Sequence, residues 1–141
     1  FQTVCGRENV AVVAATADGD VFGGYYTVAV TEQWTAFRDP NIFLFSFASR
    51  GRCPTPQRFP PRPGRRMRNA HVKFFVDSAD LWFVAFGAGG SDGVSVGCER
   101  SHTWCSNLSK CFEGAANTTL TGRSGRNNPH TCTRVLAVQF S

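Results

Sequence analysis

Four side chains that could ligate a metal ion lie close together in the sequence, at Cys98, His102, Cys105 and Cys111. Three thiolates and one imidazole make a complete tetrahedral zinc set by ligand type. Their spacing, C-x3-H-x2-C-x5-C, lacks the C-x2-C turn that fixes two ligands at once in most structural zinc sites. The zinc set is therefore a hypothesis beside disulfide bonding and unpaired thiols, and we expect no bound cofactor.

The cysteine count leaves the cellular compartment open. Six cysteines are an even number, and two N-glycosylation sequons begin at Asn107 and Asn117. Both features are typical of a secreted protein or an organelle lumen, where disulfides form and glycans are attached. Sequons also arise by chance, so the sequence alone does not decide between disulfides and thiols.

One cysteine, Cys53, lies among arginines. Neighbouring positive charge favours the thiolate form, so Cys53 is a candidate oxidisable thiol. A histidine at position 71, 102 or 130 could act as the base for thiol catalysis. No adjoining helix or dense cationic shell marks any other cysteine as activated. A thiol-based redox protein that uses Cys53 or the Cys98–Cys111 cluster is therefore an alternative hypothesis.

Two glycine motifs resemble catalytic or nucleotide-binding signatures but fail their structural requirements. Gly93–Gly97 reads G-x-S-x-G, yet a nucleophile elbow needs a helix directly after the serine, and Ser95 lies in an alternating β pattern. Gly87–Gly93 lacks the Lys-Ser/Thr of a P-loop, and Asp92 stands where the third glycine of G-x-G-x-x-G belongs. We therefore predict a strand serine, no nucleotide site and no enzyme.

The net charge of +5 belongs to one segment. Seven arginines and no acidic residue lie between positions 50 and 68, which leaves 8 basic and 10 acidic residues elsewhere. Five prolines interrupt the same stretch, so we predict an extended surface loop over residues 49–70 that joins neither sheet. We call residues 49–70 the Pro/Arg segment.

The Pro/Arg segment has two interpretations. It could be a docking strip for an acidic protein surface, a lipid headgroup or a nucleic acid, or it could be a solvated insertion without a ligand. Since the rest of the chain is nearly neutral, no specific nucleic-acid partner is expected. The candidate docking residues are Arg50, Arg52, Arg58, Arg62, Arg65, Arg66 and Arg68.

The elements that position these residues are predicted to be short strands. Apolar or alternating runs between Gly and Pro indicate about seven strands. The runs are Val10–Ala15, Tyr25–Thr31, Ile42–Phe47, a hairpin of Val72–Val76 with Leu81–Phe86, Val94–Val96 and Thr133–Phe140. Short helical turns are predicted within Ser106–Phe112 and Glu32–Phe37. The fold class is therefore mostly β, a two-sheet antiparallel β-sandwich with a few short helices, forming one domain over residues 1–141.

Face assignments follow from the strand period. The apolar run Ile42–Phe47 predicts a strand covered on both faces. In the last strand, Val135, Ala137 and Gln139 fall on one face, and Leu136, Val138 and Phe140 fall on the other. No apolar run reaches the ~18 residues that a membrane-spanning helix needs.

Several motifs, in order along nearly the whole chain, resemble the TLDc domains of the oxidation-resistance protein family. Asp18–Tyr25 resembles the family signature D-G-x-x-F-G-G-Y/F, and Asp39–Phe47 is similar to a stretch ending F-L-F-S-L. The remaining similar segments are Phe1–Cys5 (F-x-x-x-C), Phe86–Gly90 (F-G-G-G-G) and Leu120–Gly122 with Val135–Phe140 (the closing strand region).

The resemblance implies an asymmetric β-sandwich with peripheral helices and a role in oxidative-stress protection. It also implies a non-catalytic protein-interaction module, which in several members binds the vacuolar-type proton ATPase, and it brings no agreed catalytic residues. The chain begins part-way into the family pattern, so we expect the N-terminal elements to be missing or replaced. The resemblance favours an intracellular setting, whereas the cysteines and sequons leave a secreted or lumenal, disulfide-stabilised accessory or structural subunit as an alternative.

Overall fold

The computed structural model describes residues 2–63, 70–75, 82–87, 93–97, 102–125 and 129–141. This part of the chain contains ten strands and one single-turn helix. The elements are β1 (Val10–Thr16), β2 (Val21–Tyr26), β3 (Ala36–Arg38), β4 (Phe43–Ala48), β5 (Gln57–Phe59), β6 (His71–Phe74), β7 (Trp82–Gly87), β8 (Gly93–Gly97), β9 (His102–Ser106), α1 (Leu108–Cys111) and β10 (His130–Gln139).

The strands form two antiparallel sheets that share one long strand. The first sheet has the order β10-β1-β2-β4-β5, and the second has the order β3-β6-β7-β8-β9. Strand β10 belongs to both, because His130 and Thr131 pair with β9 while residues 132–139 pair with β1. The ten described strands therefore form one continuous hydrogen-bonded series that folds over into two layers.

Buried aromatic side chains join the inner faces of the two sheets. Tyr26 of β2 contacts Phe74 of β6 edge to face, with ring centroids 5.8 Å apart. Phe86 of β7 lies against Gly24 of β2, where a Cβ atom would be 2.6 Å from the ring. All four residues are fully or almost fully buried. The mostly β, two-sheet sandwich predicted from the sequence is confirmed.

Most predicted strands are present with shifted ends. The hairpin is confirmed by the antiparallel pairing of β6 with β7, while its predicted turn lies outside the described residues. The helical turn predicted within Ser106–Phe112 contains α1. Strand β2 ends at Tyr26, because the N–H and hydroxyl of Thr27 both donate to the buried Asp39 carboxylate. Asp39 also accepts the Asn41 N–H, so this carboxylate organises the turn before β4.

Four predictions about local structure were wrong. The strand predicted over Tyr25–Thr31 lies nearer the N terminus, because β2 runs over Val21–Tyr26 and residues 27–31 belong to no strand. The Pro/Arg segment does contribute to a sheet, because Gln57–Phe59 is a proline-free run that pairs with β4 as edge strand β5. The stretch Glu32–Phe37 is not helical; Trp34 adopts a left-handed φ of 65°, and its N–H donates to the Phe74 carbonyl. Strand β4 is covered on both faces only in part, since Phe47 is exposed. Among the described helices, none is long and apolar enough to span a bilayer.

Candidate interaction surface

The outer face of the first sheet forms a groove because of the sizes of its side chains. The central strand β1 presents the small residues Ala11 and Val13, which form the floor. Large side chains from β4 stand on one side, and Val138 and Phe140 stand on the other. The groove has a volume of about 820 Å³, within the size range of natural binding sites.

Aromatic side chains dominate this groove. Three of them come from β4, because every second residue of a strand faces the same side. Their contacts continue across the sheet, with ring centroids 4.9 Å apart for Tyr25 and Phe43, 6.1 Å for Tyr25 and Phe140, and 4.8 Å for Phe45 and Phe47. We call the outward residues of this sheet the aromatic face. Its members are Tyr25, Phe43, Phe45, Phe47, Leu136, Val138 and Phe140.

The paired glycines of the D-G-x-x-F-G-G-Y signature allow packing on both sides of β2. At Gly23 a Cβ atom would lie 2.0 Å from the Val12 carbonyl oxygen of β1 and 2.7 Å from the Phe45 ring of the aromatic face. Gly24 points inward, where a Cβ atom would lie 2.6 Å from the Phe86 ring. Gly23 therefore makes room for the β1 backbone and for Phe45, and Gly24 makes room for the contact between the sheets.

The aromatic face is unusually exposed for apolar side chains of this size. The exposed fractions are 56% for Phe47, 52% for Phe140 and 51% for Leu136. Scattered single hydrophobic residues on a surface need no explanation, but a contiguous apolar patch marks an interaction site. The geometry therefore offers a binding surface on the outside of the sandwich.

The first two arginines of the Pro/Arg segment pair with a carboxylate that is buried inside the protein. The Asp20 carboxylate is completely buried, and both Arg50 and Arg52 form ion pairs with it. The Arg50 guanidinium also donates to the Thr121 carbonyl at 3.2 Å. Arg52 donates to the carbonyls of residues 119 and 120, at 3.1 and 2.9 Å. These internal bonds use the charge of both arginines to fasten three separated segments together.

The other candidate docking arginines are distributed over different surroundings. Arg62 donates from Nε to the Ser109 carbonyl at 2.5 Å, which holds the segment against α1. Arg58 lies on β5 with its guanidinium 3.8 Å from the centre of the Phe43 ring, so it belongs to the rim of the groove. Arg65, Arg66 and Arg68 lie outside the described residues. The docking-strip hypothesis therefore retains Arg58 as the described arginine that borders a candidate site.

Cysteine chemistry receives no support from the part of the chain that the structure describes. None of the five cysteines placed there forms a disulfide. No group of three or more His, Cys, Asp or Glu side chains comes together as a metal site among the described residues. Of the predicted zinc set, Cys98 and the His102 side chain lie outside the described residues, and Cys105 and Cys111 are buried. Zinc binding by this set stays a hypothesis.

Burial makes two of these thiols poor nucleophiles. Complete burial raises the pKa of Cys105 to about 12, although a hydrogen bond from Thr121 acts in the opposite direction. Burial also raises the pKa of Cys132. The candidate redox thiol Cys53 is partly buried against the core, and its N–H donates to Ser49 Oγ at 2.6 Å. Its proposed arginine neighbours Arg50 and Arg52 direct their hydrogen bonds to Asp20.

A histidine–carboxylate pair lies at the turn between β1 and β2. The Nδ1 atom of buried His130 is 3.2 Å from the Asp18 carboxylate, and this hydrogen bond lowers the pKa of Asp18. The Nε2 atom of His130 is buried and has no hydrogen-bond partner among the described residues. Of the other candidate bases, His71 is partly exposed on β6, where burial and Arg38 lower its pKa. Ser95 lies within strand β8, as predicted.

Comparisons with known proteins add no relative to this description. No protein-family model matches the chain, and no curated protein matches it. The resemblance to TLDc domains therefore rests on the motifs in the sequence.

Sequence reasoning named no residue of the aromatic face as a site. The alternation of Phe43, Phe45 and Phe47 was available, but a continuous apolar run does not tell a doubly buried strand from one with an exposed aromatic face. The predicted sides of the last strand are confirmed, since Val138 and Phe140 line the groove while Ala137 and Gln139 line a different depression. The missing information was which strands are neighbours.

Proposed function

We propose that this protein is a TLDc-type interaction module, linked to oxidative-stress protection, that binds a protein partner through its aromatic face. The contiguous exposed aromatic face carries the proposal. Rigid aromatic side chains bury a large area with little loss of conformational freedom, so they are enriched at the centres of protein interfaces. Arg58 at the rim supplies a cation beside the apolar centre.

A binding role also agrees with the positions of the reactive side chains. The buried Cys105 thiol is protonated at neutral pH, and the Arg50 and Arg52 guanidinium groups are engaged with Asp20. The motif glycines Gly23 and Gly24, and Asp20 within the same segment, have structural roles in the sandwich. These glycines, Asp20 and the two arginines therefore stabilise the fold, while the exposed aromatic side chains are available to contact a partner.

The vacuolar-type proton ATPase is the partner that the TLDc resemblance suggests. We expect the chain to bind purified ATPase, and we expect Phe47→Asp combined with Phe140→Asp to weaken binding at least about 30-fold, as loss of central aromatic contacts does. Both side chains are more than half exposed, so the variant should keep its far-ultraviolet circular dichroism spectrum.

A matched control separates this site from a general effect of removing exposed rings. Trp34 is 47% exposed and packs near Phe75, away from the aromatic face. Trp34→Asp should leave ATPase binding within about threefold of the unmodified chain, since a residue away from an interface rarely contributes to it. Absence of ATPase binding by the unmodified chain, or equal loss in the control, would contradict the proposed partner or the proposed surface.

A further inference from the structure

Strand β10 has an edge that no described strand covers. Its start, His130 and Thr131, pairs with β9, and from Cys132 onward its pairing is with β1 on the opposite side. Among the described residues, nothing else pairs with the far edge of Cys132–Gln139. Every residue from Thr133 to Phe140 is exposed except Val135, which is half-buried.

The direction of the unpaired backbone groups follows from the antiparallel pattern. The Phe140 N–H donates to the Asn9 carbonyl on the β1 side. In an antiparallel pair the backbone groups of alternate residues point to alternate sides of the strand. The N–H and C=O groups of Val135, Ala137 and Gln139 therefore point away from β1, along the uncovered edge.

The outer part of this edge, Val135–Phe140, lacks the features that protect other strand edges from association, whereas Arg134 and a register shift lie at its inner end. Proteins protect exposed strand edges with prolines, charges or bulges. Edge strand β5 has Pro56 before it, Pro60 after it and Arg58 within it. Val135–Phe140 contains no proline and no charged residue, and its register with β1 is regular. Among the described residues, this contrast within one sheet singles out Val135–Phe140 as an edge open to strand pairing.

We propose that the strand it receives is β10 of a second copy of this chain. Antiparallel pairing about a two-fold axis at Ala137 places Ala137 opposite Ala137, and Val135 opposite Gln139 of the second copy. The backbone groups of Val135, Ala137 and Gln139 point along this edge, so the hydrogen-bonding pattern of the two copies is self-complementary.

The side chains and charges are compatible with the same register. Leu136 falls opposite Val138 of the second copy on the outer face, which is a favourable apolar cross-strand pair. Arg134 falls opposite Phe140 of the second copy and not opposite another arginine, so like charges do not meet. The paired chains join their two aromatic faces into one continuous surface. This inference stands independently of the proposed ATPase binding.

The first test is the oligomeric state of the purified chain, measured by sedimentation over a range of concentrations. We expect a concentration-dependent dimer. Ala137→Pro removes an N–H that points along the uncovered edge, so it should weaken dimerisation about 10- to 100-fold, through one lost hydrogen bond per copy. The control Ala137→Ser keeps that N–H and should dimerise like the unmodified chain.

A cross-linking experiment tests the register even where the proline variant does not fold. In a Cys5→Ser background, Ala137→Cys places two sulfurs across the two-fold axis, with Cα atoms about 5.5 Å apart, a distance that a disulfide spans. Thr133→Cys is the control, because Thr133 would lie opposite Ser141 of the second copy. The two Thr133 residues would then be about 27 Å apart along the strands. Oxidation should cross-link the Ala137→Cys chain and not the Thr133→Cys chain. A monomeric unmodified chain, or equal cross-linking of both variants, would overturn the proposal.

Discussion

Replacing Arg52 by glutamine should destabilise this protein far more than a substitution in an exposed basic loop would. The Arg52 side chain is 23% exposed and pairs with the completely buried carboxylate of Asp20. It also donates to two backbone carbonyls, at Thr119 and Leu120. Glutamine removes the positive charge and shortens the side chain, which leaves Asp20 with Arg50 as its remaining cation.

The expected cost follows from the energetics of a buried charge. Removing one partner of a buried ion pair costs about 3–5 kcal/mol, because the other charge stays desolvated. Since Arg50 remains, we expect the lower end, about 3 kcal/mol. Urea unfolding followed by tryptophan fluorescence measures it, and for a slope of about 1–3 kcal/mol/M the midpoint should fall by about 1–3 M.

Arg58→Gln is the matched control from the same segment. Arg58 is exposed and stacks on Phe43, so its loss should cost less than about 1 kcal/mol. A double-mutant cycle of Arg52→Gln with Asp20→Asn should give a coupling of more than about 1 kcal/mol, because the two side chains are in direct contact. Equal urea midpoints for the Arg52 and Arg58 variants would refute the internal ion pair.

Two further outcomes follow from the core of the sandwich. Gly24→Ala should lower the free energy of unfolding in urea by about 1–3 kcal/mol, because the added methyl group meets the Phe86 ring. Adding Phe86→Leu to the same chain should recover part of this loss. An unchanged free energy of unfolding for Gly24→Ala would contradict the described packing. Burial raises the folded-state pKa of Cys105 to about 12. The stability contributed by its protonated form is therefore fully present below the ordinary thiol pKa of about 8.5 and decreases as the pH rises towards 12. Cys105→Ala should make the free energy of unfolding fall less steeply over this alkaline range, and an unchanged slope would contradict the assignment.

The layered β fold was predictable because its signals are local. The apolar run of β1 and the alternation in β10 identify strands by side-chain period alone. Strands β3 and β5 were not predicted, because three residues at a sheet edge are too few to show a period, and they are fixed by pairing with β6 and β4. Strand β9 contains His102 and Cys105, whose residue types suggested a ligand cluster and obscured the strand.

The candidate site was harder to predict because it depends on strand neighbours distant in sequence. Phe43 and Phe140 line one groove only because β4, β2, β1 and β10 lie in that order. The arginines show the same limitation in the opposite direction. Composition indicated a solvated basic loop, but Arg52 finds Asp20 through a contact spanning 32 residues. The role of these arginines therefore depends on the position of the buried Asp20 carboxylate, which the composition of the segment does not reveal.

The central claim is that the protein works through its aromatic face and not through a reactive thiol. Survival of peroxide-treated cells that lack a TLDc protein tests this claim and the proposed protective role most directly, with the chain supplied as unmodified, Phe47→Asp/Phe140→Asp or Cys53→Ser protein at equal abundance. We expect the unmodified and Cys53→Ser chains to restore survival and the aromatic variant to fail. Restored survival with the aromatic variant, together with failure of Cys53→Ser, would contradict the account.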